Sequence, residues 1–307
     1  MQGRAMPTRE EFNNGIWVAG NYQGGPATAP ILRSSAGIPR NSDLDANGTH
    51  YSLSFNALVA PPLGGVPAPI VATAATTPYL AESGITAIDG VSSGNRINFV
   101  PPSPPPPASP RVAYLPFYQN AITSMIIPRA GDLNVNAFFT DALSGCSIFI
   151  DRVHGTGDLV VYHANRIQQL PLDAAEREEY FRITAFDDLM AEAQASMRAD
   201  KDLAQAQMLG AIGFPLTEVA SLHRRQYLQC IENERVRKTA DGRTNFDYAA
   251  GTNVMGFHGE GGTWEFCWQT WARISYDRTY KNALFSITKH REKALRLIGR
   301  GSFYTGV

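Results

Sequence analysis

The chain has 307 residues, of which 44% are hydrophobic and 18% charged, with a formal net charge of −1. That length buries a substantial core in one large domain or two small ones, and the near-neutral balance argues against nucleic acid as the main partner. No apolar run reaches the roughly 20 residues a membrane-spanning helix needs, so no membrane insertion is expected.

The N-terminal stretch Met1 to Phe12 lacks the apolar core of a cleavable secretory signal. Residues 1–48 are rich in Gly, Pro and Asn with little periodicity, and a flexible segment is expected there. Tyr51 to Ala60 alternates apolar and polar residues over part of its length and reads as a strand. Residues 61–100 are Ala/Pro/Gly/Thr-rich, which suits long loops with short strands. Pro101 to Pro110 is an extended, polyproline-like loop within the domain spanning 49–307.

Val112–Tyr118 and Ser124–Ile127 read as strands, with Pro116 arguing for an edge position or a break in the first. Two further short strands, Cys146–Asp151 and Asp158–His163, flank a turn-rich connector. The pattern then becomes helical. Asp173 and Glu176 have capping-box spacing and open a short helix to about Ile183. A second helix is expected from about Phe186 to Leu209, stopped by Gly210, Gly213 and Pro215. A third is expected over Thr217–Val236, then β structure from Tyr248 to Ile287 and a basic helix from Thr288 to Ile298. The helices around 173–209 carry an acidic excess and residues 271–300 a basic one, as expected of two solvated faces or of a charged docking surface. These elements predict an α+β fold with a mixed or antiparallel β-sandwich core flanked by helices.

Three cysteines (Cys146, Cys230, Cys267) are too few and too irregular for a disulfide framework or a metal site. Free thiols, a reducing compartment, no metal and no cofactor are expected. Cys146 stands apart because it follows a Ser144-Gly145 turn and has an imidazole one hairpin away. A thiol becomes a nucleophile as its thiolate, which a neighbouring imidazole favours by taking the proton and later returning it to a leaving group. If the connector is symmetric, opposing Asp151 to Asp158 carries Cys146 directly across from His163. His154 lies in the connector, roughly 25 Å from Cys146 along an extended strand, and is the wrong end of the hairpin. Gly145 allows a sharp turn before the thiol, backbone N–H groups around Gly145–Ser147 can face an oxyanion, and Thr140 and Asn165 are near enough in sequence to orient the imidazole.

Leu143-Ser144-Gly145-Cys146, with a histidine closing the next hairpin strand, resembles the L-S-G-C signature of the toxin glutamine deamidases, which include the cytotoxic necrotizing factors and the Burkholderia lethal factor. Thr140, six positions before Cys146, matches the threonine counted as third catalytic member in the lethal-factor type. His163-Ala164-Asn165 is similar to the segment around the family's histidine. The resemblance covers residues 136–166. It implies a deamidase-like catalytic domain, hydrolysis of a glutamine carboxamide in a host protein, and catalytic roles for Cys146, His163 and Thr140. Ser144, Gly145, Ser147 and Asn165 would support substrate or oxyanion. It further implies a secreted effector or toxin delivered into the host cytosol without a cleavable signal.

Other features have plainer readings. Gly256–Gly262 is a turn between strands or a mobile rim carrying His258 or Glu260. Trp264, Phe266 and Trp268 alternate on one face as core residues, and Cys230, Cys267, His50, His223 and His290 are spectators. The thiol chemistry leaves a transglutaminase or a cysteine protease open. A non-enzymatic partner-binding protein with a structural Cys146 also remains open.

Overall fold

In the computed structural model the described residues are 9, 15–19, 31–32, 49–54, 85–89, 96–99, 111–115, 122–129, 135–140, 143, 145–165, 187–227, 229, 244–259, 262–281 and 287–306. The expected short helix after Asp173, the proline loop at 101–110 and most of residues 1–48 lie outside them.

Two sheets form the body of the protein. The larger has ten strands in the order β1-β3-β5-β4-β6-β8-β12-β13-β14-β2. Its strands are β1 (Gly15–Ala19), β2 (Ile31–Leu32), β3 (Thr49–Ser54), β4 (Ile85–Asp89), β5 (Arg96–Phe99), β6 (Arg111–Leu115), β8 (Val135–Thr140), β12 (Thr244–His258), β13 (Trp264–Lys281) and β14 (Ile287–Thr305). The smaller is ordered β11-β9-β10-β7, from β7 (Ile122–Ile127), β9 (Ser147–Val153), β10 (Leu159–Ala164) and β11 (Leu216–Leu222). The small sheet is wholly antiparallel, whereas the large one mixes antiparallel pairs with parallel ones such as β6–β8. Strands β1 and β2 bring parts of the first 48 residues into the large sheet, and Arg9 forms an ion pair with Glu265 at 3.0 Å.

Alternation along β9 and β10 assigns the small sheet's two faces. Ile148, Ile150, Leu159 and Val161 join Phe138, Val254 and Phe266 of the large sheet in one buried cluster. On the other face Phe149, Val153, Val160 and Tyr162 pack against Met197, Ala204 and Met208 of helix α1 (Asp187–Ile212). The α+β expectation is met at that level: two sheets share a core, with a helix laid over the smaller one. Among the described residues no helix is long and apolar enough to cross a membrane.

Strands β3, β6 and β7 fall where the sequence places them, and α1 runs three residues beyond the expected Leu209. Strand β6 lies inside its sheet between β4 and β8, so it is not at an edge, and Pro116 lies outside the described residues.

Two expected helices are strands. Leu216–Leu222 is β11, which takes up the free edge of β9; its β-branched Thr217 and Val219 suit that position. Among the described residues, helix follows at 224–227 and at 229, and the rest of the expected helix lies outside them. The basic stretch from Thr288 to Ile298 lies within β14, paired along nearly the whole of β13 from Glu265↔Thr305 to Lys281↔Ile287. Ala294, Leu297 and Ile298 carry a helix-compatible spacing, but a ladder of this length decides the conformation through non-local bonds.

Candidate functional site

The thiol and its neighbours assemble where the ends of three strands meet. Cys146 immediately precedes β9, His163 and Asn165 lie at the end of β10, and Thr140 ends β8 on the facing sheet. Leu143 is tied down by a two-way backbone bridge to Thr252 of β12, at 2.6 and 3.0 Å, which fixes the approach to the Gly145-Cys146 turn.

The β9–β10 hairpin exists, but its register differs from the symmetric expectation. Val153 N–H donates to the Asp158 carbonyl at 2.8 Å, and the ladder runs from Arg152↔Leu159 to Ser147↔Ala164. Strand β9 therefore continues two residues past Asp151, to Val153. The turn is completed by Gly155 and Gly157 in the left-handed region, at φ 97° and 77°. The result moves the partner of Cys146 by two residues, from His163 to Asn165. A slip of one residue would have turned the thiol to the opposite face; a slip of two keeps it on the same one.

His163 opposes Ile148 and is thus the diagonal neighbour of Cys146, at a Cβ separation of roughly 7 Å. The direct cross-strand contact belongs to Asn165, whose Nδ2 donates to Cys146 Sγ at 3.1 Å. A donor aimed at sulfur favours the thiolate over the thiol.

Thr140 Oγ1 lies 3.4 Å from His163 Nδ1, a contact that spans the two sheets. Burial pushes the His163 imidazole down to about 3, so it is neutral at pH 7. In the tautomer that gives Nδ1 the proton, Thr140 accepts it and Nε2 carries the ring's lone pair. Cys146 itself is only 1% exposed, and Thr140, His163 and Asn165 are buried with it.

Tyr227 was not legible as part of the site. Its hydroxyl donates to the Cys146 carbonyl at 3.0 Å, and its own carbonyl accepts from Thr270 Oγ1 at 2.8 Å, so the segment after β11 is anchored over the thiol turn. No local pattern marks a tyrosine 81 positions away as a neighbour of Cys146.

The remaining candidates are placed as follows. Gly145 lies in the bend before the thiol, and Ser144 lies outside the described residues. The Ser147 side chain turns to the helix-facing side, where its Oγ meets His223 Nδ1 at 3.0 Å, so its backbone alone faces the thiol side. His154 sits at the far turn, bonded to Thr217 Oγ1. His258 closes the β12–β13 hairpin, bonded to the Arg129 carbonyl and stacked on Trp264; Glu260 lies outside the described residues. Cys267 is buried with its thiol pushed up to about 12, foremost by burial, which makes it an inert thiol. Trp264 and Phe266 are core residues, with Trp268 packed against them. Among the described residues no group of three or more His, Cys, Asp or Glu side chains is arranged to hold a metal ion.

No protein-family model matches the chain, and no curated protein matches it.

Proposed function

We propose that this protein is a cysteine-dependent amidohydrolase with a deamidase-like catalytic domain. It would deamidate a glutamine side chain of a host protein, as a bacterial effector or toxin delivered to the host cytosol. The observation that carries the reading is the convergence of Thr140, His163 and Asn165 around Cys146 from two different sheets, with Asn165 donating to the sulfur and Thr140 meeting the imidazole.

In the reaction, His163 Nε2 takes the thiol proton as Sγ bonds to the carboxamide carbon. The same proton passes to the departing nitrogen, which leaves as ammonia. Water then adds to the thioester, giving glutamate and the free thiol. Backbone N–H groups at Gly145–Ser147 are the candidate donors to the oxyanion.

The imidazole's depressed basicity bears on how this cycle starts. A base far below neutrality transfers protons poorly, and a thiolate–imidazolium pair in an apolar interior is costly. Substrate entry must therefore displace the cover around Tyr227 and admit water, which returns His163 toward its ordinary value near 6.5.

The burial of Cys146 favours a second reading, in which the thiol is a core residue and the protein binds a partner without catalysis. Intact mass spectrometry of host-cell proteins after exposure to wild type and to Cys146→Ser separates the two. Deamidation gives the amide-to-acid mass change on an intact target with release of ammonia, in wild type alone. Cleaved chains or amine adducts would redirect the reading to a protease or a transglutaminase, and no wild-type-dependent change would leave the binding reading standing.

A further inference from the structure

The opposite end of the small sheet carries a second polar constellation, independent of the thiol. The end of β7, the β9–β10 turn, the β12–β13 turn and the end of β14 enclose a recess of about 50 Å³ lined by Arg129, Arg152, Gly157, Thr263 and Tyr304 among others. It lies six strand residues from Cys146, roughly 20 Å away.

Among the described residues neither arginine has a carboxylate within ion-pair distance. Arg129 is held through its backbone, its N–H donating to Asp158 Oδ1 at 2.9 Å and its carbonyl accepting from His258 Nε2 at 3.0 Å. Its guanidinium lies against Gly157, which lines the recess with it. Arg152 donates to the Tyr304 hydroxyl at 3.2 Å, and that hydroxyl, having accepted, keeps its own proton to give.

Gly157 makes the space. A Cβ built there would lie 2.8 Å from Arg129 Cδ and 3.0 Å from Nη1, and its φ of 77° disfavours any side chain. The glycine thus lets Arg129 lie against the turn.

The geometry points to a binding site for one phosphate group. Two guanidiniums balance a dianion, whereas a carboxylate would neutralise only one, and the hydroxyls of Thr263 and Tyr304 add donors for a third oxygen. The recess has room for a single group of that size. The chemistry is shared by free phosphate and by a phosphorylated side chain of a partner protein.

Calorimetric titration of the full chain at fixed ionic strength tests the site, with inorganic phosphate, a blocked alanine–phosphoserine–alanine tripeptide and acetate as probes. Saturable one-to-one phosphate binding is expected, weakened at least tenfold in Arg129→Gln and in Arg152→Gln, with acetate far weaker. Tighter binding of the tripeptide assigns the site to a phosphorylated chain, and binding no tighter than phosphate assigns it to the free ion; both uphold it. Non-saturable binding, acetate matching phosphate, or variants that bind as wild type would overturn it. Arg129 is exposed, so its variant keeps the test valid should Arg152→Gln fail to fold.

Discussion

The two faces of the small sheet solve opposite problems with the same two strands. Toward the large sheet, β9, β10 and the residues flanking them bury neutral polar groups: the thiol, the His163 imidazole and the Asn165 amide. Toward α1 the alternate residues bury charge. Asp151, fully buried, pairs with Lys201 Nζ at 2.9 Å, Lys201 also reaches Glu218 at 3.2 Å, and Arg198 bonds Glu218 in turn. Burial raises the Asp151 carboxyl from its usual range, and Lys201 opposes the shift, chiefly through its hydrogen bond. Charges held this way lock the helix onto the sheet. A neutral imidazole beside a thiol keeps a proton that can move. The face with fewer charges is the one to which the proposed reaction is assigned.

The largest expected effect probes the face that carries Cys146. Cys146→Ala should lower deamidation at least about a thousandfold while the melting temperature stays near wild type. Equal activity in the variant would remove the thiol from the mechanism.

On the charged face, Lys201→Met should cost about 3–5 kcal/mol in urea unfolding because it strands Asp151 in the interior. Adding Asp151→Leu should restore most of that loss, and a double variant no more stable than Lys201→Met would show that the pair is not the source.

Acid separates the faces further. His163 is held near 3 in the fold against about 6.5 unfolded, so between these values the unfolded chain binds the extra proton and stability rises with pH. Its contribution is complete above about pH 6.5 and is lost as the solution is acidified, by roughly 2 kcal/mol between pH 6.5 and 5. His223 is also lowered by burial and adds to the same trend. Chemical denaturation across this range should show a shallower slope in His163→Asn than in wild type.

Asn165→Ala should reduce turnover about tenfold, an effect near 1.4 kcal/mol, by removing the donor to sulfur. Thiol titration by absorbance in the same variant should show a raised Cys146 pKa if the amide acts on the thiolate. At the small end, Arg9→Ala should change stability by less than about 1 kcal/mol, since its pair with Glu265 is about one-third exposed.

Much of the face that carries Cys146 was legible because it is local in sequence: the Gly145-Cys146 turn, a hairpin, and a threonine six residues upstream. The hairpin's register was not, since Arg152 and Val153 read as turn residues while the chain keeps them in β9. The charged face was invisible, because Asp151, Lys201 and Glu218 come together only once α1 crosses the sheet and β11 takes its edge. Strand β11 was itself hidden, with Leu216, Val219 and Leu222 at spacings that suit a helix. The same holds for β14, whose identity depends on β13. Local pattern named the residues with chemistry, and long-range pairing decided what surrounds them.

The anchoring of Tyr227 on the Cys146 carbonyl has a kinetic consequence. A thiol so enclosed reacts only from the fraction of molecules that have opened, so labelling by a small alkylating reagent reports an opening equilibrium multiplied by intrinsic reactivity. At low reagent the rate is proportional to concentration; at high reagent it levels off at the opening rate. Tyr227→Phe, which removes the bond and keeps the ring, should raise the first regime more than it alters the protein's melting. The same enclosure shields the sulfur from peroxide until the fold opens, so the thiol is kept reduced by the fold itself.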